Sequence, residues 1–433
     1  MGKGQDLYRK ARQIIPGGTQ LLSKRPEQFL PDFWPAYYER AKGCEVWDLD
    51  GKRYLDMSYM GIGACTLGYA DDDVDSAVIE CIKRANMTTL NCPEEVELAE
   101  LLLQIHPWAN MVRYARGGGE AMSVAVRIAR AVTGKDIILF SGYHGWHDWY
   151  LSANLADDKA LDGQLLPGLS SRGVARGMKG TSYPFFYDNS EQFLALMDEH
   201  GDKVGGVVLE AIRNLEPEPG FFDVIEKATK KLKIPLIVDE VSSGFRLNTG
   251  GAHLVIGLNP DIAVFAKGMS NGYPMAAVIG KSEFMDAAQD TFISSTYWTE
   301  RIGPTAAIAT IRKMLKEEVQ NHLVECGKRV QRGWTESARK FNLKIHVGSL
   351  FPLSHFDFDD KSLVFKTLFT QEMLKKGFLA TNSYYASFAH KEEHLALYLN
   401  AVEEVFCFFS KIENSPENYL DGPICQSGFK RLT

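Results

Sequence analysis

Lys267 ends an apolar run (262–266) and opens a polar turn containing Gly268, Ser270, Asn271 and Gly272. A second apolar run, 275–279, follows. The pattern predicts a strand, a tight turn and another strand, with one amine at the end of the first. An amine there is costly to bury unless it is paired or used covalently. The chemistry that wants it is a Schiff base between a partly desolvated lysine and an aldehyde. For an isolated lysine, a side chain that snorkels out of the strand end is the better reading. Asp239 begins to shift that balance. It stands at the end of the apolar run in LIVDEV, where a carboxylate must meet a cation or a donor. A protonated pyridine nitrogen would be such a partner. A helix cap or a local salt bridge competes for a lone aspartate.

Two further stretches join them. Gly117, Gly118, Gly119 and Glu120 lie between a strand pattern and a helix pattern. Successive glycines let backbone N–H groups approach an anion, and a helix N-terminus adds a favourable field. The turn is neither a Walker A loop nor GxGxxG, which argues against a nucleotide-binding α/β protein. Tyr143, His144, Gly145, Trp146 and His147 follow the apolar run IILF. An aromatic on such a loop can stack on a flat ligand, although each histidine alone is more often structural. Anion cradle, stacking aromatic, buried carboxylate and strand-end lysine together match one molecule. That molecule is pyridoxal 5′-phosphate, with its phosphate, flat ring, pyridine nitrogen and aldehyde.

The elements that must position these groups are legible as alternation. From about 110 to 280, short apolar strands (111–115, 137–140, 204–212, 234–241) alternate with amphipathic helices (120–133, 222–232). This predicts an α/β layer with a mostly parallel sheet, whose ligand sites lie beyond the carboxyl ends of the strands. Upstream, 5–15, 71–86 and 93–105 read as helices, and CEVWDLDGKRYLDM (44–57) as a hairpin turning at Asp50 and Gly51. Downstream, a long helix from 305 to about 338, a strand over KIHVGSLFPLSHF and helices near 362–376 and 391–411 make a smaller α+β domain. Residues 414–433 read as a loosely attached tail. The expected organisation is an N-terminal segment, 1–62, packing with the small domain, a large domain, 63–326, and a small domain, 327–433.

At 433 residues the chain is too long for one ordinary core, and 45% hydrophobic with 24% charged is an ordinary globular balance. A net charge of −7 argues against nucleic acid or an anionic membrane as partner. The seven cysteines are scattered, and no Cys/His cluster has zinc spacing, so no metal site is expected. Scattered thiols, no apolar signal core and no membrane-length apolar run point to the cytoplasm.

The sequence DEVSSGFRLNTGGAHLVIGLNPDIAVFAKGMSNGYPMAAVIG (239–280), with WDLDGKRYLDM (47–57) and EAMSVAVRIAR (120–130), resembles the class III pyridoxal-phosphate aminotransferases. Within them it is similar to the glutamate-1-semialdehyde aminomutase branch, over nearly the whole chain. The resemblance implies a fold-type I transferase. It makes Lys267 the Schiff-base lysine and proton-transfer base, and Asp239 the partner of the pyridine nitrogen. Val241 and Tyr143 would contact the two ring faces, and Gly118 and Gly119 would cradle the phosphate. His144 and Glu210 would join the cofactor's surroundings. Thr299 would reach across a homodimer to the phosphate. Lys24 or Arg25, after the PGG turn, would meet a substrate carboxylate, and Trp146, Trp298, Tyr384 and Tyr385 would wall the acceptor pocket. Gly117, Gly118 and Gly119 replace the family's usual Ser-Gly-Thr, so the phosphate grip must rest on backbone N–H groups and Thr299. The aminomutase's gate acid has no counterpart in TNSYYASFAH (381–390). The expected activity is therefore transfer of an amino group from a donor, L-glutamate by family habit, to a small carbonyl acceptor. The alternative is an intramolecular aminomutase. A cofactor-binding relative without turnover is disfavoured by the intact Lys267, Asp239 and Tyr143.

Overall fold

The computed structural model describes residues 2–153, 172–212, 217–348, 350–412 and 415–427. The chain divides into two units. One joins Met1–Asp72 to Asn321–Gly428, and the other is essentially Asp73–Gln320.

The first unit opens with strands β1 (Tyr38–Lys42), β2 (Glu45–Asp48) and β3 (Arg53–Asp56). β2 and β3 form the expected hairpin. Gly51 turns it with φ +81°, and the Asp48 carboxylate fastens it by accepting from the Asp50 and Lys52 amides at 3.0 and 2.9 Å.

The second unit carries the seven strands β4 (Met111–Ala115), β5 (Ile137–Ser141), β6 (Ser182–Pro184), β7 (Val204–Glu210), β8 (Leu236–Asp239), β9 (Ile262–Phe265) and β10 (Ala276–Gly280). Their order in the sheet is β4-β10-β9-β8-β7-β5-β6. Pairs from β9 through β6 are parallel, and β10 is antiparallel to both of its neighbours. Because successive side chains point to opposite faces, each central strand feeds two cores. Ile138, Phe140, Val208, Ile237, Ile262 and Val264 pack with Ala121, Ala125 and Ile128 of the helix Gly118–Thr133. Ile137, Leu139, Val207, Leu209, Leu236 and Val238 pack on the other face with Phe193, Phe221 and Ile225. A sheet covered on both faces accounts for strands that read as nearly continuous apolar runs.

The first unit resumes with β11 (Ile345–Val347), β12 (Leu353–Phe358), β13 (Phe378–Leu379) and β14 (Ser383–Tyr385). β13 joins β3 in parallel, and β11-β12-β14 form a separate antiparallel sheet. Three expectations change. The strand expected over KIHVGSLFPLSHF is two strands, β11 and β12, paired antiparallel. The long helix is two helices, Ile302–Glu317 and Val319–Lys340, broken where Glu318 adopts φ +47°. Of the expected tail, the described residues 415–427 are docked rather than loose, and 414 and 428–433 lie outside the described residues. Over 415–427, Cys425 is 3% exposed and its amide donates to Thr367 Oγ1 at 3.0 Å. The Asp421 amide likewise donates to Gln371 Oε1 at 2.8 Å.

Candidate active site

The carboxyl ends of β5, β7, β8 and β9, the side where open α/β sheets bind ligands, carry the sequence-derived candidates. Lys267 opens the short turn Lys267–Ser270 that follows β9. Its φ is +43°, a conformation that costs a side-chain-bearing residue about 1–2 kcal/mol. The local frame holds it there, with Met269 N donating to Ala266 O and Tyr273 N to Ser270 O, each at 3.1 Å. The half-buried Lys267 amine donates to Ser242 Oγ at 2.8 Å.

Asp239 ends β8 and is 5% exposed. Its Oδ2 lies 2.8 Å from His144 Nδ1, and its Oδ1 accepts from the Val241 amide at 2.9 Å. His144 Nε2 lies 3.2 Å from the Ser141 carbonyl oxygen. Both ring nitrogens therefore face oxygen acceptors, which fixes the plane of the ring against Asp239. Ligation of Asp239 by this histidine, rather than a cap or surface salt bridge, is the answer to its burial.

The glycine turn starts the helix Gly118–Thr133, two residues earlier than the helical pattern predicts. The helix ladder begins with Ala121 N donating to Gly117 O at 2.9 Å, so the Gly118 and Gly119 amides stand ahead of it in the first turn. Glu120 Oε2 takes the Arg116 and Gly117 amides, at 2.9 and 3.4 Å. A β-carbon on Gly118 would fall 2.7 Å from Val241 Cγ1, one on Gly119 would fall 3.3 Å from His147 Cδ2, and one on Gly117 would meet nothing within 4 Å. Gly118 thus brings the helix start against Val241, next to Asp239.

Tyr143 is half-buried, its amide donating to Glu210 Oε2 at 3.3 Å and its ring standing edge-on to Tyr150 at 5.9 Å. Both Tyr143 and Val241 pack against the core under the helix. Contacts thus link Gly118, Val241, Asp239, His144, Ser242 and Lys267 into one group, with Tyr143 and Glu210 joined through the same loop. Burial lowers the pKa of His147, against the raising influence of Glu120 and Asp148, so this ring favours its neutral form. Trp146 leans on His147 at 4.4 Å and is 71% exposed.

Thr299 is exposed, with its hydroxyl donating to Thr296 O at 2.9 Å. Its segment is held by Arg116, whose guanidinium donates to Glu300 Oε1 at 2.7 Å and to the Trp298 and Glu300 carbonyls at 2.9 and 3.0 Å. Lys24, Arg25 and Tyr384 belong to the other unit. Lys24 is exposed, and Arg25 packs on the PGG turn with its Nε buried and lacking a hydrogen-bond partner among the described residues. Tyr384 departs from its expected place in a pocket wall. It is fully buried, stacked on Tyr398 and hydrogen-bonded to His390 Nδ1 at 2.8 Å, so its ring has no face for a substrate. Tyr385 is the less buried of the pair, edge-on to Tyr59 at 5.0 Å.

One network escapes a reading by motif. Glu240, fully buried beside Asp239, accepts from the His253 amide at 2.8 Å and from Ser243 Oγ at 2.5 Å, and its Oε1 lies 2.9 Å from His253 Nδ1. Trp108 Nε1 donates to His253 Nε2 at 3.0 Å. An indole N–H can only donate, so His253 carries its proton on Nδ1 and directs it at Glu240. The available signal was strand alternation, which turns Glu240 to the face opposite Asp239. Among the described residues, no group of three or more His, Cys, Asp or Glu could hold a metal ion, and no helix is long and apolar enough to cross a membrane.

The chain is 28% identical over 418 residues to the 3-aminobutyryl-CoA aminotransferase of Cloacimonas acidaminovorans, spanning 93% of this chain and 96% of that one. It is 30% identical over 433 residues to the glutamate-1-semialdehyde 2,1-aminomutase of Methanocaldococcus jannaschii, spanning 94% and 98%. Its fold matches that of the FumI protein of Sphingopyxis sp. MTA144 with a TM-score of 0.86 at 23% identity, spanning 97% and 100%. The aminotransferase class-III family model matches residues 31–383. The chain belongs to the class III aminotransferase family, whose members work with pyridoxal 5′-phosphate.

Proposed function

We propose that this aminotransferase takes the amino group of L-glutamate and passes it to a small carbonyl acceptor, with Lys267 as the cofactor-binding lysine. The observation that carries the reading is the convergence of Lys267, Ser242, Asp239 and His144 on one end of the sheet. The residues present fit pyridoxal phosphate. Asp239 is a buried carboxylate with a histidine behind it, suited to a protonated ring nitrogen. The Gly118 and Gly119 amides form a helix N-terminus suited to phosphate, and a side chain at Gly118 would close that approach. Tyr143 and Val241 would face the two sides of the ring. When bound, the cofactor supplies an electron sink that lets the bond to the donor's α-proton break. Lys267 moves that proton, acting as general base and then as acid. Asp239 keeps its own charge opposite the ring nitrogen, and His144 keeps Asp239 in place.

Arg25 is our candidate for a carboxylate of the donor, supported by its unmatched buried Nε. A homodimer is supported by an apolar groove of about 550 Å³ whose lining includes the exposed Ile79, Ile82 and Tyr297, next to the Thr299 segment. In that assembly Thr299 would add a hydroxyl to a neighbouring copy's phosphate site. The 30% identity to an aminomutase supports a second reading, rearrangement within one molecule, and the 28% identity to an aminotransferase supports the first.

The visible spectrum of the reconstituted enzyme, before and after L-glutamate without acceptor, tests the proposal. The expected result is bleaching with stoichiometric release of 2-oxoglutarate, and loss of borohydride-trapped cofactor in Lys267→Ala. A coloured enzyme indifferent to glutamate would transfer the reading to the aminomutase or to another donor.

A further inference from the structure

The structure assigns to Ser242 the role of positioning the Lys267 amine; this rests on the reading of Lys267 as the cofactor lysine. Lysine carries a long, freely rotating stem and is among the side chains that lose most freedom when fixed. Its left-handed backbone sets the start of the stem, and the 2.8 Å contact with Ser242 Oγ sets its end.

Ser242 can act as a fixed point because everything around it is fastened. On one side, the Val241 amide is held by Asp239 Oδ1 at 2.9 Å. On the other, Ser243 Oγ donates to Glu240 Oε2 at 2.5 Å, and the Gly244 amide donates to the Glu240 carbonyl at 2.8 Å. Arg246, itself 1% exposed, donates from Nε to the Ser242 carbonyl at 2.6 Å. Glu240 is immobilised in turn by His253, whose tautomer is set by Trp108. The Trp108–His253–Glu240 chain therefore steadies, from the far face of the sheet, the turn that presents Ser242 to the lysine.

A hydroxyl is a neutral partner: as an acceptor it fixes the direction of the amine without itself placing a charge beside it.

The test compares Ser242→Ala with Ser242→Thr, which keeps the hydroxyl. In cofactor-free protein, acylation of Lys267 by acetic anhydride is followed by peptide mass spectrometry across pH, with the other lysines as internal standards. Loss of the hydroxyl should change the Lys267 labelling rate about fivefold or more and lower kcat about tenfold, with the donor KM within about twofold. Ser242→Thr should recover most of both. Unchanged labelling and kcat in Ser242→Ala, with unchanged thermal melting, would overturn the assignment. If borohydride still traps cofactor on another lysine in Lys267→Ala, the underlying reading fails. If trapping is confined to Lys267 and Ser242→Ala is silent, only the role of Ser242 fails.

Discussion

At Gly118 the cofactor hypothesis becomes a matter of one carbon atom. A β-carbon there would stand 2.7 Å from Val241 Cγ1, closer than two carbons can approach without displacement. Either Val241 moves off the site, or the helix start withdraws and takes its amides with it. Gly118→Ala should therefore weaken pyridoxal phosphate binding by about tenfold or more, read by fluorescence titration of cofactor-free protein. Gly117 differs, because a side chain there meets nothing within 4 Å. Serine is at least as good an N-cap as glycine, by a few tenths of a kcal/mol. Gly117→Ser should thus keep or raise stability, and the added hydroxyl should hold or tighten cofactor affinity. Equal weakening by both substitutions would mean that the phosphate does not sit at this turn.

One side chain fixes the whole 296–300 segment. Arg116 leaves β4 just before the glycine turn and ties down the Trp298 and Glu300 carbonyls and the Glu300 carboxylate. Glu300 also accepts from the Ile302 and Gly303 amides at 2.7 and 2.9 Å, capping the helix Ile302–Glu317. Both charges are 13% exposed, so removing one leaves the other largely buried. Arg116→Ala should cost about 3 kcal/mol in urea unfolding, the range for breaking a buried pair. It should also release the segment that carries Thr299, giving faster cofactor loss on dilution; a cost under about 1 kcal/mol would show the clamp to be a surface pair. This clamp was not legible in the sequence, because its two ends lie far apart in the chain. Lys267 and Asp239 were legible for the opposite reason. Each interrupts an apolar run, and the cost of burying a charge there demands a partner even when the partner is unknown. The strands were legible because a sheet covered on both faces leaves long apolar words in the text. The break at Glu318 was not, since neither glycine nor proline marks it. The docking of residues 415–427 was hidden by a mostly polar composition in which Pro416 and Cys425 are the buried anchors.

Acid stability is a property of the whole chain, and two buried histidines, one in each unit, set its direction. His390 Nδ1 accepts from Tyr384 Oη at 2.8 Å and from the Ser387 amide at 3.1 Å, while Nε2 lies 2.9 Å from the Asp56 carbonyl oxygen and donates to it. Protonating Nδ1 would set it against the Ser387 amide, which can only donate, and force the Tyr384 hydroxyl to turn its proton away. His106 faces the Leu102 carbonyl through Nδ1 at 2.8 Å. Burial pushes both rings down to about 4 from the ordinary 6.5. Between those values the unfolded chain binds protons that the folded chain does not. Stability is therefore intact above about pH 6.5 and falls as the pH drops toward 4, by up to about 1.4 kcal/mol per pH unit for each ring. Asp56 works in the other sense, since burial raises its pKa against the hydrogen bonds from Tyr69 and Ser58. The histidine contribution is isolated by comparing the native protein with His390→Asn in urea unfolding from pH 7.5 to 5. The variant should be less stable at pH 7.5, because Tyr384 and Ser387 lose their acceptor, yet lose less on acidification. A difference between the two proteins that does not narrow as the pH falls would show that His390 takes up its proton in the folded state without penalty, and that the buried Tyr384–His390–Asp56 chain tolerates a charge.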